Sequence, residues 1–222
     1  AGATDTLHMS RATQAAYYAA QHRQNRECRS QSEPGAERDR FRAFEEYYAR
    51  RALETTGDIS KRFYFAYLVA VDEGDYDRAA AACDSALACA PPASHDYARA
   101  AFYRSETERF RGDEAARFEW LVRAAMADVQ GAVRDYGALG GVAEELLRRG
   151  DAARAMRCIR VAINDTQAYN SPIRSWRDMA ILPQIEQAYS ERNARLRAMY
   201  VALILLAFLF ALSVIGGVLF VL

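Results

Sequence analysis

Residues that could carry out acid–base or metal chemistry are few and scattered in this chain. The three histidines, His8, His22 and His95, lack the spacing that metal ligands share on one element. The consecutive glutamates at 45–46 and 144–145 are most simply explained as solvated helix faces. The motifs of zinc peptidases, serine hydrolases, P-loop nucleotidases and dinucleotide-binding folds do not occur in the sequence. We therefore predict that the chain is not an enzyme and uses no metal or cofactor.

The four cysteines form no recognisable disulfide or metal-binding pattern. They stand at 28, 83, 89 and 158, and none belongs to a CxxC pair. Cys83 and Cys89 are six residues apart on a predicted helix, so their side chains point to different faces. This arrangement favours small apolar core residues over disulfides or metal ligands.

Charge is balanced over the whole chain but unevenly placed along it. The 222 residues include 29 Lys and Arg and 29 Asp and Glu, so the formal net charge is zero. A nucleic-acid-binding protein normally carries a basic excess on one face, so the balance argues against nucleic acid as a partner. Residues 200–222, in contrast, contain no charged residue. The chain therefore divides into a charged body and an apolar C-terminal segment.

The apolar segment predicts a transmembrane helix. A helix of this length spans about 35 Å, enough to cross a hydrocarbon core of about 30 Å. Interfacial helices need a polar face, and this segment has none. Close packing of two such helices, and so a homodimer, is a further hypothesis that rests on small residues four apart, Ala207 with Ala211 and Ser213 with Gly217.

The orientation of this helix is not decided by charge. Arg192, Arg195 and Arg197 precede it, and the positive-inside rule would place the body in the cytoplasm. If Leu222 is the native end of the chain, the protein is then tail-anchored. A chain that stops on an apolar residue is equally consistent with a fragment cut at the membrane. Both alternatives stay open on the residues alone.

The dipeptide Gly-Asp recurs with a fixed period. It occurs at 74–75, 112–113 and 150–151, at intervals of 38 residues. An apolar-periodic stretch precedes each copy and an Ala-rich amphipathic stretch follows it. A period of this length is typical of stacked helical repeats, and glycine can adopt the left-handed conformation of a tight turn between helices. Each copy therefore predicts a helix, a turn and a second helix.

The copy at 60–93 resembles the tetratricopeptide repeat (TPR). The residues that carry the resemblance are Gly74-Asp75-Tyr76, Ala79, Ala86-Leu87 and Pro91-Pro92. The resemblance implies an all-α fold in which antiparallel helix pairs stack into a solenoid. The copy at 98–130 departs from it, because Arg104 and Glu108 stand where apolar residues are expected. These two residues are four apart and can pair on a helix.

We divide the chain into four segments on this basis. Residues 1–36 are an N-terminal appendage and linker, in which a stretch at 10–29 is compatible with a poorly packed helix. The other three segments are TPR-like repeats (37–170), a capping and juxtamembrane helix (171–199) and the transmembrane helix (200–222).

The series of motifs from Tyr97 to Tyr189 resembles a narrower family. The series includes Gly112-Asp113, Trp120-Leu121, Gly150-Asp151 and Ile181-Leu182-Pro183-Gln184-Ile185. It is similar to the extracytoplasmic half of a Bacteroidetes family of membrane-tethered TPR transcriptional regulators. In that family a periplasmic TPR region precedes one transmembrane helix, and a cytoplasmic coiled coil and a DNA-binding segment follow. The resemblance implies that the body lies in the periplasm, despite the three arginines before the span.

The TPR resemblance also implies where a ligand binds. The first helix of each pair lines the concave surface, so a protein or peptide ligand would contact groove-facing positions of these helices. Those positions are Lys61, Tyr64, Leu68 and Val71 in the first copy, Arg99, Phe102, Glu106 and Arg109 in the second, and Glu144 and Leu147 in the third. Packing of Tyr64 and Phe102 against neighbouring helices is the alternative explanation for these two rings.

Two functions remain open at this point. One is the periplasmic sensory part of a signalling regulator with a single transmembrane helix. The other is a cytosolic adaptor that recruits protein partners to a membrane through a tail anchor.

Overall fold

The computed structural model describes residues 9–131, 137–168 and 172–221, and it describes their side chains except those of 165–178 and 216–221. The expectations for His8 and Leu222 therefore lie outside the described residues. All regular elements in the described part are helices, which confirms the predicted all-α class. The helices are α1 Arg11–Gln31, α2 Ala36–Thr55, α3 Ile59–Asp72, α4 Tyr76–Cys89, α5 His95–Arg111, α6 Glu114–Gln130, α7 Gly137–Arg148, α8 Ala152–Ala168 and α9 Pro172–Val221.

The helices belong to two compact units. Unit 1 comprises residues 1–134 and contains the helix pairs α1–α2, α3–α4 and α5–α6. Unit 2 comprises residues 135–222 and contains α7, α8 and α9.

The Gly-Asp dipeptides form the turns within three helix pairs. Gly74, Gly112 and Gly150 have φ angles of +72°, +79° and +78°, a left-handed conformation that costs a residue with a Cβ about 1 kcal/mol or more. The aspartate that follows each glycine caps the next helix, as when the Asp75 carboxylate accepts a hydrogen bond from the Arg78 amide at 2.9 Å. Asp113 and Asp151 cap α6 and α8 in the same way. The recurring dipeptide thus ends one helix and begins the next, as the sequence predicts.

Helix α1 is well packed. Its Tyr18 is buried in one core cluster with Ala49 and Ala52 of α2 and Phe65 and Val69 of α3. His22, one turn further along the same face, is also buried. The prediction of a poorly packed helix at residues 10–29 is therefore wrong. Helix α2 forms a pair with α1.

The copy at 98–130, which departs from the TPR pattern and which we call the degenerate repeat, contains a partly buried ionic network. Glu108 is only 5 % exposed and accepts hydrogen bonds from Arg104 and Arg111 on the same helix. Arg104 also donates to Asp84 of α4 at 2.9 Å, and its guanidinium lies 5.5 Å from the ring centre of Trp120 on α6. The predicted pairing of Arg104 with Glu108 is confirmed. The network replaces the apolar contact of a regular repeat and connects α4, α5 and α6.

Unit 2 combines one helix pair with one long helix. The apolar stripes predicted for this pair are buried, with Val142 and Leu146 on α7 and Ala155 and Ile159 on α8. Helix α9 continues through Pro183 and buries Ile185 completely. The stretch Met179–Ile215 contains a window that is long and apolar enough to cross a membrane, and that window is not buried in the protein. The C-terminal part of α9 is therefore a candidate membrane span.

Candidate interaction site

A cavity of about 290 Å³ lies in unit 1 between α3, α4 and α5. We call it the aromatic cavity, because Phe63, Tyr64 and Tyr67 of α3 and Tyr103 of α5 line it. Small residues of α4, among them Ala82, Cys83 and Ala86, form the opposite wall. Large rings face alanines across the helix interface, and the space that the alanines leave unfilled is the cavity. The Ala-rich second helix of this repeat is therefore what creates room for a ligand.

The tyrosines of the cavity are held by contacts to one another. The ring centre of Tyr103 lies 4.6 Å from that of Tyr67 and 5.5 Å from that of Tyr64. Burial raises the pKa of both Tyr64 and Tyr67, so their hydroxyl groups stay protonated at neutral pH. The Tyr64 hydroxyl accepts a hydrogen bond from Arg26 of α1 at 3.0 Å. Tyr64 of α3 therefore contacts the first helices of the other two pairs of unit 1, α1 and α5.

The rim of the cavity is formed by polar side chains that are hydrogen-bonded to one another. Arg99 donates to the Ser60 hydroxyl at 2.6 Å and to the Asp96 carboxylate at 2.8 Å, and Ser60 in turn donates to Asp96 at 2.9 Å. The Arg99 guanidinium also lies 5.9 Å from the ring centre of Tyr64. These contacts join α3 to α5 at the entrance and fix the direction of the Arg99 side chain. A ligand would meet apolar rings inside and a positioned guanidinium at the edge.

A second set of buried polar groups lies beside Tyr64. His22 is 4 % exposed, and its ring meets the rings of Tyr64 and Phe65 edge to face. Burial is the main cause that lowers the pKa of His22 to about 4, and the charges of the neighbouring Arg26, Arg29 and Arg23 contribute to the same shift. The imidazole is therefore neutral at pH 7 and packs as an aromatic ring. Glu45, 3.7 Å from it, forms its ion pair with Arg29 at 2.7 Å.

Two cysteines line the cavity but differ in exposure. Cys83 is buried, and burial raises the pKa of its thiol to about 12, so the thiol is unreactive at neutral pH. Cys89 is exposed. Both are free thiols. In the described part of the chain, no group of three or more His, Cys, Asp or Glu side chains could hold a metal ion.

The structure brings only part of the predicted groove set to this cavity. Of the predicted residues, Tyr64 and Arg99 line it. Lys61 is exposed and lies 3.4 Å from Asp58, and Leu68 packs against the cores of unit 1. Val71 of α3 also packs against a core of unit 1. The other members of unit 1 lie on α5, with Phe102 next to Tyr103, and Glu106 in an ion pair with Arg109. Glu144 and Leu147 belong to α7 in unit 2.

Sequence reasoning missed several residues of the cavity. Ser60, Asp96 and Tyr103 line it and were absent from the predicted groove set. Tyr103 directly follows Phe102, so an alignment shifted by one residue in the degenerate repeat is enough to exchange the two. The sequence signal that could have identified Ser60 and Asp96 is their place at the N-terminal ends of α3 and α5, beside the cap residues Asp58 and Ser94.

A family model matches most of the chain. The model described as the SusR N-terminal TPR domain matches residues 3–179, a range that includes α1 to α8. The match confirms the resemblance to TPR proteins and to the narrower Bacteroidetes family. No curated protein and no solved structure matches the chain.

Proposed function

The chain belongs to the SusR N-terminal TPR domain family, and on that premise we propose that its body binds a protein or peptide partner through the aromatic cavity. TPR domains in general bind protein partners. The observation that supports this use of the cavity is its combination of tyrosine rings with Arg99 held at the rim. Tyrosine and arginine in pockets of this kind are the residues that most often dominate binding energy.

The expected ligand is a peptide segment with one large apolar side chain. The cavity volume of about 290 Å³ suits a single such side chain rather than a whole helix. Arg99 and Asp96 at the rim offer a donor and an acceptor to the peptide backbone next to that side chain. Because Arg99 is already held by Ser60 and stacked near Tyr64, little side-chain freedom would be lost on binding.

The cavity is tested by filling it without disturbing the core. Ala86→Phe on α4 would place a ring in the cavity, whereas Ala88→Phe adds the same ring at an exposed position of the same helix. A random peptide library displayed on phage is selected against the full chain in detergent micelles, and the selected peptides are measured by calorimetry. We expect Ala86→Phe to weaken binding about thirtyfold or more and Ala88→Phe to leave it unchanged. Equal binding to both variants and the native chain would exclude the cavity.

We further propose that the body is the periplasmic sensory part of a signalling regulator with one transmembrane helix. The resemblance to membrane-tethered regulators and the candidate span in α9 support this proposal. The alternative is the tail-anchored cytosolic adaptor, which the positive-inside rule would favour because Arg192, Arg195 and Arg197 precede the span.

The exposed thiol of Cys89 distinguishes these two topologies. Spheroplasts that contain the full chain are treated with a membrane-impermeant maleimide, and the native chain is compared with Cys89→Ser. A periplasmic body predicts labelling of Cys89 in intact spheroplasts. Labelling that requires lysis would instead support the cytosolic adaptor.

A further inference from the structure

A second pocket, of about 420 Å³, lies in unit 2 beside the candidate span. The turn between α7 and α8 meets α9 there, and the wall from α9 carries Arg192 and Arg195. Leu147, Ala188 and Leu196 form an apolar floor. We call this site the juxtamembrane pocket. It combines two cations with an apolar base, which the aromatic cavity of unit 1 does not.

The arginines of this pocket are open to a ligand. Both are exposed, and the Arg195 side chain retains 81 % of its accessible surface. Its ion pair with Glu191 is long, at 3.8 Å between the nearest nitrogen and oxygen. Glu191 also lines the pocket, and it is itself half-exposed. Pairs of this kind are held weakly in water, so an anion can compete with the carboxylate.

The position of the pocket along α9 matches the level of lipid headgroups. The charge-free segment begins just after Arg197, at Ala198. With a rise of about 1.5 Å per residue, Arg195 and Leu196 lie roughly 6–8 Å before Tyr200, where the span was predicted to begin. The headgroup layer on each side of a bilayer is about 5–8 Å thick. A helix that crosses the membrane from Tyr200 would therefore hold the lower edge of the pocket among headgroups.

We propose that the juxtamembrane pocket binds the phosphate headgroup of an anionic phospholipid, with Arg192 and Arg195 at the phosphate and the apolar floor beneath the lipid backbone. This proposal rests on the proposed membrane span. A lipid explains both parts of the pocket, since free phosphate would have no use for Leu147, Ala188 and Leu196. It also gives the arginines before the span a role that does not depend on which side of the membrane the body lies.

The test compares anionic and zwitterionic lipids on the full chain. The protein in detergent micelles is titrated with palmitoyl-oleoyl phosphatidylglycerol, with the matching phosphatidylcholine and with inorganic phosphate, and bound molecules are counted by native mass spectrometry. We expect phosphatidylglycerol to bind clearly more tightly than phosphatidylcholine. An arginine near an anionic lipid surface contributes about a fivefold gain in affinity, so Arg192→Gln with Arg195→Gln should weaken phosphatidylglycerol binding about thirtyfold.

A matched variant controls for the loss of charge. Arg157→Gln with Arg160→Gln removes two exposed arginines of α8 that do not line the pocket, and it should leave lipid binding unchanged. Equal binding of the two lipids, equal loss in both double variants, or displacement of the lipid by inorganic phosphate at the same concentration would overturn the proposal.

Failure of the span and failure of the pocket give different results. The full chain is first incorporated into phosphatidylcholine vesicles and extracted with alkaline carbonate. A chain that is extracted has no membrane span, which refutes the premise. A chain that resists extraction but shows no preference for phosphatidylglycerol has a span and lacks the lipid site.

Discussion

The arginines of unit 1 and those beside the candidate span of unit 2 have the same side chain but different surroundings. In unit 1, Arg99 and Arg104 each bind an acidic group and each lie against an aromatic ring. In unit 2, Arg192 and Arg195 are exposed on α9 at the edge of a pocket, and the ion pair of Arg195 with Glu191 is long, at 3.8 Å. The difference indicates two uses of the same residue. Arginines of the first kind stabilise the fold and shape a binding cavity, whereas those of the second kind are available to a partner outside the chain.

The largest effect is expected where the ionic network of unit 1 is broken. Glu108→Ala removes the buried acceptor of Arg104 and Arg111 and leaves a largely buried guanidinium without that partner. Loss of one member of a buried pair costs about 3–5 kcal/mol of unfolding free energy, and we expect the lower end of this range because Arg104 keeps its bond to Asp84. Amide hydrogen exchange of the full chain in micelles, read by mass spectrometry across α4 to α6, measures this loss.

An exposed ion pair of the same unit is the control for that substitution. Glu119→Ala removes the partner of Arg123 at a site where both side chains are about half-exposed, and it should cost about 0.5 kcal/mol or less. If Glu108→Ala and Glu119→Ala lower the unfolding free energy equally, burial does not explain how the ion pairs of unit 1 stabilise the fold.

A smaller effect concerns the histidine held among the arginines of unit 1. Burial and three nearby arginines lower the pKa of His22 to about 4 in the folded chain, whereas the unfolded chain has a pKa near 6.5. The unfolded state therefore binds the proton first as the pH falls. Stability is complete above about pH 6.5 and is lost toward pH 4, by about 2 kcal/mol at pH 5.

The variant His22→Gln isolates this contribution. Unfolding free energies of the native chain and the variant are measured from pH 7.5 to pH 5, and their difference cancels the titration of the carboxylates that both share. The native chain should lose stability relative to the variant as the pH falls. A difference that stays constant with pH would show that His22 keeps an ordinary pKa and is not buried as described.

The smallest effect is expected at the juxtamembrane pocket. Arg192→Gln with Arg195→Gln should change the unfolding free energy of unit 2 by about 0.5 kcal/mol or less, because both side chains are exposed. Hydrogen exchange across α7 and α8 in lipid-free micelles is the measurement. A loss comparable to that of Glu108→Ala would mean that these arginines hold the fold, and the contrast between the two units would disappear.

The features that the sequence predicted well depend on local physics. A glycine at positive φ followed by an aspartate cap requires only neighbouring residues, so the turns at Gly74, Gly112 and Gly150 could be inferred from the dipeptide. The pairing of Arg104 with Glu108 follows from helical spacing, and the candidate span follows from the absence of charge.

The features that were missed depend on contacts between distant helices. Tyr18 and His22 carry polar groups, and their burial becomes evident only when the rings of α3 are placed against them. Tyr103 lines the cavity because of its angle on α5, which the irregular repeat concealed. The cavity itself arises from alanines of α4 that face rings on other helices. The spacing of residues along a single helix cannot predict such a cavity.

Helix α9 runs without interruption from Pro172 to Val221. The juxtamembrane pocket and the apolar segment therefore lie on one continuous helix, and the pocket has a fixed angular position around the helix axis relative to the side chains of the apolar segment. One residue added between Arg197 and Tyr200 would turn that phase by about 100° and move the pocket by about 1.5 Å along the axis. If the candidate span crosses a bilayer, the register of α9 determines both the depth of the juxtamembrane pocket relative to the bilayer and the face that the span presents within it.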